Sequence, residues 1–246
     1  MATKKGKPEQ KAPAKPVVTA KKGEEDAEER IESAIGRTEQ YIINNGKKLL
    51  NIVIVIVLVI GGYMAYKHWY QAGRADKAAA LMFVAQQNFA EGMWEVALDG
   101  DGNNAGFLEV ISKYGSTPQG NVANHYAGMC YVKLGETDQA LQYLGKYKNT
   151  KGVPSAIINA ENLGLQGDIY SQNGDYDKAV EMYRKAVKEG NDMFSSPLYL
   201  KKIGLILIEQ GKGKEAEEAF QQILDMYPSS MEAREAEKYI GAASAI

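Results

Sequence analysis

The residue types that carry most enzyme chemistry are scarce in this 246-residue chain: one cysteine, Cys130, and two histidines, His68 and His125. A single thiol permits no disulfide within the chain and no thiolate metal cage. The histidines stand far apart in sequence and form neither a metalloprotease pair nor any other two-histidine ligand set. No Gly-x-Ser-x-Gly elbow is present. The run Asp99, Gly100, Asp101, Gly102, Asn103, Asn104 alternates oxygen ligands as a calcium loop does, but Asn104 stands where that loop needs glycine and Val110 where it needs glutamate. A polar turn is the expectation there. Gly211, Lys212, Gly213 and Lys214 lack the spaced glycines and the Ser/Thr of a phosphate loop and read as helix-turn residues. Without a base, a nucleophile motif or a ligand set, the sequence predicts a protein that is not an enzyme, with no cofactor and no metal. Cys130 reads as a small buried hydrophobe on a helix.

What remains is recognition, so the elements that present side chains become the question. The net charge of −2 hides an asymmetry: residues 1–48 hold eleven Lys/Arg against eight Asp/Glu, and the remainder eighteen against twenty-three. Residues 1–23 are Lys, Pro, Ala and Gly with almost no large apolar side chain, a composition that cannot offset the entropy of ordering. They read as a disordered basic tail. Its lysines lie among prolines without interleaved aromatics, so a solvated tail is favoured over contact with RNA or anionic lipid, and no nucleic-acid partner is expected. Residues 24–46 space Ile31, Ile35, Tyr41 and Ile42 along one helical stripe and predict an amphipathic juxtamembrane helix, either docked on a surface or solvated.

Leu49 to Tyr66 carries no charge, and about 27 Å of helix at 1.5 Å per residue nearly matches the hydrocarbon thickness of a bilayer. A strand of that length without turn residues is the weaker alternative. Lys47 and Lys48 before the run, and Lys67, His68, Trp69 and Tyr70 after it, supply charge and aromatic anchors at both interfaces. The expectation is a retained signal anchor over residues 47–70 and no cleaved leader. Arg30, Arg37, Lys47 and Lys48 outweigh Lys67, Arg74 and Lys77, which orients the amino end to the cytoplasm. Gly61 and Ala65 form a small-xxx-small pair able to pack against another membrane helix.

One signature recurs in the carboxyl part. From Gly167 it runs Tyr170, Gly174, Ala179, Tyr183, Ala186; from Gly128, Tyr131, Gly135, Ala140, Leu144, Tyr147; from Gly204, Leu207, Gly211, Ala216, Phe220, Ile223. The small first residue lets two helices cross closely, the second glycine suits a left-handed helix terminus, and the large residue fills the seam. Pro228 stands where the last helix must stop. These residues resemble the tetratricopeptide repeat family, which implies an all-α solenoid of helix hairpins. Residues 71–246 then divide into a degenerate hairpin (71–115), repeats at about 121–150, 159–190 and 196–229, and a capping helix at 231–243. In the degenerate hairpin one long helix is expected from Gln71 to Glu95 and a shorter one from Asn104 to Tyr114. Helical spacing from the small position projects His125, Met129, Lys133, Asp168, Gln172, Lys201, Leu205 and Glu209 toward the concave face, a mixed set without a carboxylate clamp. A solvated groove without a ligand is the plain alternative.

Asn45, Gly46 and Lys47 before the apolar run, with Tyr66, Lys67, Trp69, Tyr70, Gln71, Arg74, Ala78 and Ala79 after it, resemble the YfgM-like ancillary subunits of the Sec translocon over most of residues 39–246. That resemblance implies a single-pass protein of the bacterial inner membrane with its carboxyl domain in the periplasm. It also implies partnership with the translocon, a periplasmic chaperone and newly exported polypeptides. The same architecture also suits an envelope-assembly or cell-division scaffold, or a membrane-tethered oligomerisation module, although nothing in the sequence points to self-association.

Overall fold

A computed structural model describes residues 18–246; side chains at 18–35, 37, 38, 68, 69, 153 and 154 are not part of that description. The tail expected over 1–23 therefore lies mostly outside the described residues, as do the side chains of Ile31, Ile35, His68 and Trp69. The chain forms two units, Met1–Tyr66 and Lys67–Ile246.

In the first unit α1 runs unbroken from Val18 to Ala65, starting ahead of the boundary expected at Glu24 and joining the juxtamembrane and apolar segments into one helix. It holds one stretch, Glu39–Ala65, that is long and apolar enough to cross a membrane. The Ile, Val and Leu side chains from Leu50 to Ile60 are all exposed. Apart from its chain neighbours and its own helix backbone, no atom stands within 4 Å of where a Cβ on Gly61 would lie. A π-helical turn, Tyr66–Tyr70, follows.

The second unit is built of helices: α2 (Gln71–Ala90), α3 (Trp94–Asp99), α4 (Phe107–Tyr114), α5 (Pro118–Leu134), α6 (Thr137–Lys146), α7 (Val153–Gln172), α8 (Tyr176–Gly190), α9 (Ser195–Glu209), α10 (Gly213–Met226) and α11 (Ala233–Ala243). Helices α5/α6, α7/α8 and α9/α10 are the three hairpins of the repeating signature. Each first helix begins before the boundary expected for its repeat, because Pro118, Pro154 and Pro197 occupy first turns, where a missing N–H costs nothing.

The three hairpin turns are built alike. Gly135, Gly174 and Gly211 have φ of 80°, 77° and 71°. In each, the glycine N–H reaches back three residues and the next N–H five, as Gly174 N to Ser171 O (3.0 Å) and Asp175 N to Tyr170 O (2.9 Å) show. The same pair of bonds closes α2, from Gly92 N to Phe89 O and Met93 N to Asn88 O. The long helix expected to Glu95 therefore stops at Ala90, and Gly92 opens a hairpin whose second helix, α3, is cut short at Asp99. Gly100 ends it at φ 90°, with its Cβ position filled by the Asn104 carbonyl.

Within each hairpin the small residue meets the large one sixteen places on. A Cβ on Gly128 falls 2.6 Å from Leu144 Cγ, one on Gly167 2.6 Å from Tyr183 Cε1, and one on Gly204 2.5 Å from Phe220 Cε2. Ala140, Ala179 and Ala216 are fully buried at the same crossings. Burying a ring such as Phe220 is favourable by about 1.5–3 kcal/mol relative to leaving it in water. The core runs on through Ile203, Leu207, Ile223 and Tyr227 to Ala236 and Ala243 of α11, which covers the last hairpin. At the other end Phe107, Val110, Ala123 and Ala127 pack with Ala85 and Ala97 of the shortened hairpin.

Gly204→Val is expected to destabilise the domain by about 1–3 kcal/mol, since the branched side chain must displace Phe220. Gly145→Ala, with open space at its Cβ, is the control and is expected to leave stability unchanged or slightly raised. Denaturant midpoints of the two variants check this.

Candidate functional site: the concave hollow of the repeat domain

The first helices of successive hairpins pack side by side, and between α7 and α9 they leave a hollow of about 500 Å³. Asp168, Ser171, Gln172, Tyr183, Lys202, Leu205, Ile206 and Glu209 line it. Four of the eight residues expected on the concave face, Asp168, Gln172, Leu205 and Glu209, come together here. They stand one and five places after the small residue of their helix, so each pair lies on one helical face.

The other four are placed differently. His125 is only 2% exposed. Its Nδ1 lies 3.3 Å from Asn162 Nδ2 and its Nε2 3.4 Å from Glu161 Oε2, both on α7. It therefore leaves the groove set as a residue of the helix seam. Lys201 pairs with Glu235 of α11 at 2.5 Å and lies over the Tyr239 ring. Both stand three places before the small residue, and so does Gly164, whose Cβ position is occupied by Tyr199 of α9. Positions three before and one after the small residue differ by four residues, about 40° around a helix. That rotation turns the earlier one toward the following first helix. Met129 is half-buried, and Lys133 is exposed with Nζ 5.8 Å from the Trp94 ring centre.

Two groups in the hollow escaped the spacing argument. Lys202, two places before Gly204, places Nζ 2.5 Å from Asp168 Oδ1. Tyr183, assigned to the seam, also turns its hydroxyl outward and donates to the same oxygen at 2.5 Å. Burial first, and then the Asp168 carboxylate it bonds, push the Tyr183 hydroxyl well above its ordinary value. It stays a donor at any physiological pH. The Lys202 ammonium also lies 5.4 Å and 5.9 Å from the Tyr183 and Tyr199 ring centres, within cation–π range. Glu209 accepts from Tyr176 at 2.8 Å. Two carboxylates against one ammonium leave the hollow with an acidic excess of one. Ser171 and Gln172 supply neutral polar groups, and Leu205 and Ile206 an apolar patch.

The remaining candidates for chemistry sit in structural roles. Cys130 is buried and its thiol is pushed up to about 12 by burial. Asp101 is occupied by its own turn, accepting from Asn103 N at 2.8 Å and from Asn104 N at 2.6 Å. Among the described residues no group of three His, Cys, Asp or Glu is placed to hold a metal.

Comparison with known proteins fits this geometry. Residues 123–150 and 165–230 match models of the tetratricopeptide repeat. A tetratricopeptide repeat protein from Parabacteroides merdae superposes with a TM-score of 0.55 at 17% identity, covering 69% of this chain; the chain spans 61% of that structure's length. Tetratricopeptide-like repeats of a putative kinesin light chain from Podosopora anserina give 0.49 at 13% identity, covering 70% of this chain and 86% of that one. No curated protein matches the chain. The second unit is therefore a tetratricopeptide-repeat solenoid, an architecture for binding protein partners. Neither family match is to a catalytic family.

Two outcomes follow from these placements. Cys130 is expected to react with a thiol reagent at mildly alkaline pH only as fast as the domain opens, which stopped labelling at increasing denaturant would reveal. The Glu161 carboxyl lies below its ordinary value because His125 bonds to it, although burial opposes this. A depressed acid stabilises above its unfolded value near 4.3 and loses that contribution as pH falls through the folded value. With Glu161 46% exposed, Glu161→Gln is expected to cost under about 1 kcal/mol at neutral pH. It is also expected to flatten the decline in stability below about pH 5, read from chemical denaturation across pH.

Proposed function

We propose that this chain is a single-pass protein of the bacterial inner membrane that presents its repeat domain in the periplasm, where the hollow between α7 and α9 takes extended protein segments. The observation that carries the reading is that hollow: neutral polar groups and an apolar patch beside a small acidic excess. Such a lining suits main-chain amides, small apolar side chains and a basic residue. The partners favoured are the Sec translocon, a periplasmic chaperone and newly exported polypeptides, on the strength of the residues that flank the apolar run. The anchor is the uncharged stretch within Glu39–Ala65, held by Lys47 and Lys48 at one interface and Lys67 and Tyr70 at the other. Gly61 and Ala65 offer a close-packing face to a partner's membrane helix.

Photo-crosslinking side chains placed at Gln172 and Leu205 in living cells test the assignment by mass spectrometry of the adducts. Translocon, chaperone or exported polypeptides are expected. Division or envelope-assembly proteins would point instead to a scaffold, and adducts of the chain with itself alone to an oligomerisation module. Resistance of the full chain to alkaline carbonate extraction, with cleavage of the carboxyl half by protease added to spheroplasts, is expected in parallel.

A further inference from the structure

The two edges of the solenoid differ in composition. One edge carries the glycine turns; Glu91, Glu95, Glu136, Asp138, Asp175 and Asp177 stand beside the first three, and Lys212 and Lys214 beside the fourth. At the other edge the first helices begin and the second helices end. Bonds across it fix the alignment: Arg74 Nη2 to Lys113 O at 2.5 Å, Asn121 to Lys148 by two bonds of 2.8 Å, and Asn159 to Thr150 and Glu189.

That second edge exposes Lys148, Lys151 and Lys188. It also exposes large apolar side chains: Phe194 at 89% and Met193 at 53% in the loop before α9, and Ile157 at 63% in the first turns of α7. Ala160 of α7 packs against Gly190 at the root of the loop that carries Met193 and Phe194, and Ile157 lies one turn before Ala160 on the same helical face. The acids of this loop are already engaged, Asp192 Oδ1 accepting from Phe194 N and Ser195 N at 2.7 Å and Glu189 accepting from Asn159 at 3.2 Å. Helix α2 also begins at this edge, at Gln71.

We propose that this edge is a lipid-contact surface, with Met193 and Phe194 seated at the interface of an anionic bilayer and the lysines above its headgroups. The proposal rests on the anchor reading given above. Basic groups beside exposed aromatic and Met side chains are the chemistry that an anionic interface selects.

The test uses the full chain in proteoliposomes of phosphatidylglycerol with phosphatidylcholine, or of phosphatidylcholine alone. In a Cys130→Ala background, an environment-sensitive fluorophore is attached at Phe194→Cys, Asp175→Cys or Val57→Cys; headgroup-level spin-labelled lipid is the quencher for 194 and 175, and lipid spin-labelled near the end of its acyl chain is the quencher for 57. Quenching is expected at 194 and not at 175, and only with the anionic lipid. Lys148→Glu combined with Lys151→Glu is expected to lower the surface-bound fraction at least about fivefold. Equal quenching at 194 and 175, with the label at 57 quenched, overturns this proposal and leaves the anchor standing. Absence of quenching at 57 removes the anchor reading and this proposal with it. Shielding at 194 that ignores lipid charge but grows with protein density assigns the edge to a second copy of the chain and also overturns it.

Discussion

The domain depends on a single repeated steric event, a glycine on one helix facing a large side chain sixteen residues later on the next. At Gly128 with Leu144, Gly167 with Tyr183 and Gly204 with Phe220, the missing Cβ is the space the large group occupies. The distance between the two helices of a hairpin follows from that crossing, and the stacking of hairpins follows from it in turn. Because the rows beside each crossing, Ala140, Ala179 and Ala216, are also small and wholly buried, side chains at neighbouring positions are left to reach the adjacent hairpin. The seam between first helices is finished by different chemistry in each place: a histidine against Asn162 and Glu161, a tyrosine over Gly164, and an ion pair between Lys201 and Glu235.

This explains what the sequence could and could not disclose. The crossing residues and the turn glycines were legible because they obey local rules: a small group for approach, a left-handed residue for the terminus, a plug at fixed distance. The first hairpin was only half legible. Its turn glycine Gly92 and small residues Ala85 and Ala97 follow the pattern, but Gly100 cuts α3 before it reaches the plug position. A search centred on Gly92 would have placed the break that a long continuous helix concealed.

Helical spacing gathers only some of the residues named from it into one hollow. Asp168, Gln172, Leu205 and Glu209 project as helical spacing requires. His125 and Lys201 do not, because a shift of about 40° is enough to exchange the open face for the neighbouring helix. Lys202 and the Tyr183 hydroxyl could be found only from the tertiary arrangement, since their shared acceptor, Asp168, is brought to them across two helix contacts.

Tyr183 belongs to both descriptions. Its ring holds α7 and α8 together against Gly167, while its hydroxyl forms part of the floor of the hollow. A substitution at Tyr183 that removes the ring therefore alters floor and seam together, and only one that keeps the ring, such as Tyr183→Phe, separates the two. Adaptive change in what the domain recognises is channelled to the rim, at Gln172 and Leu205, where exchange leaves the architecture untouched.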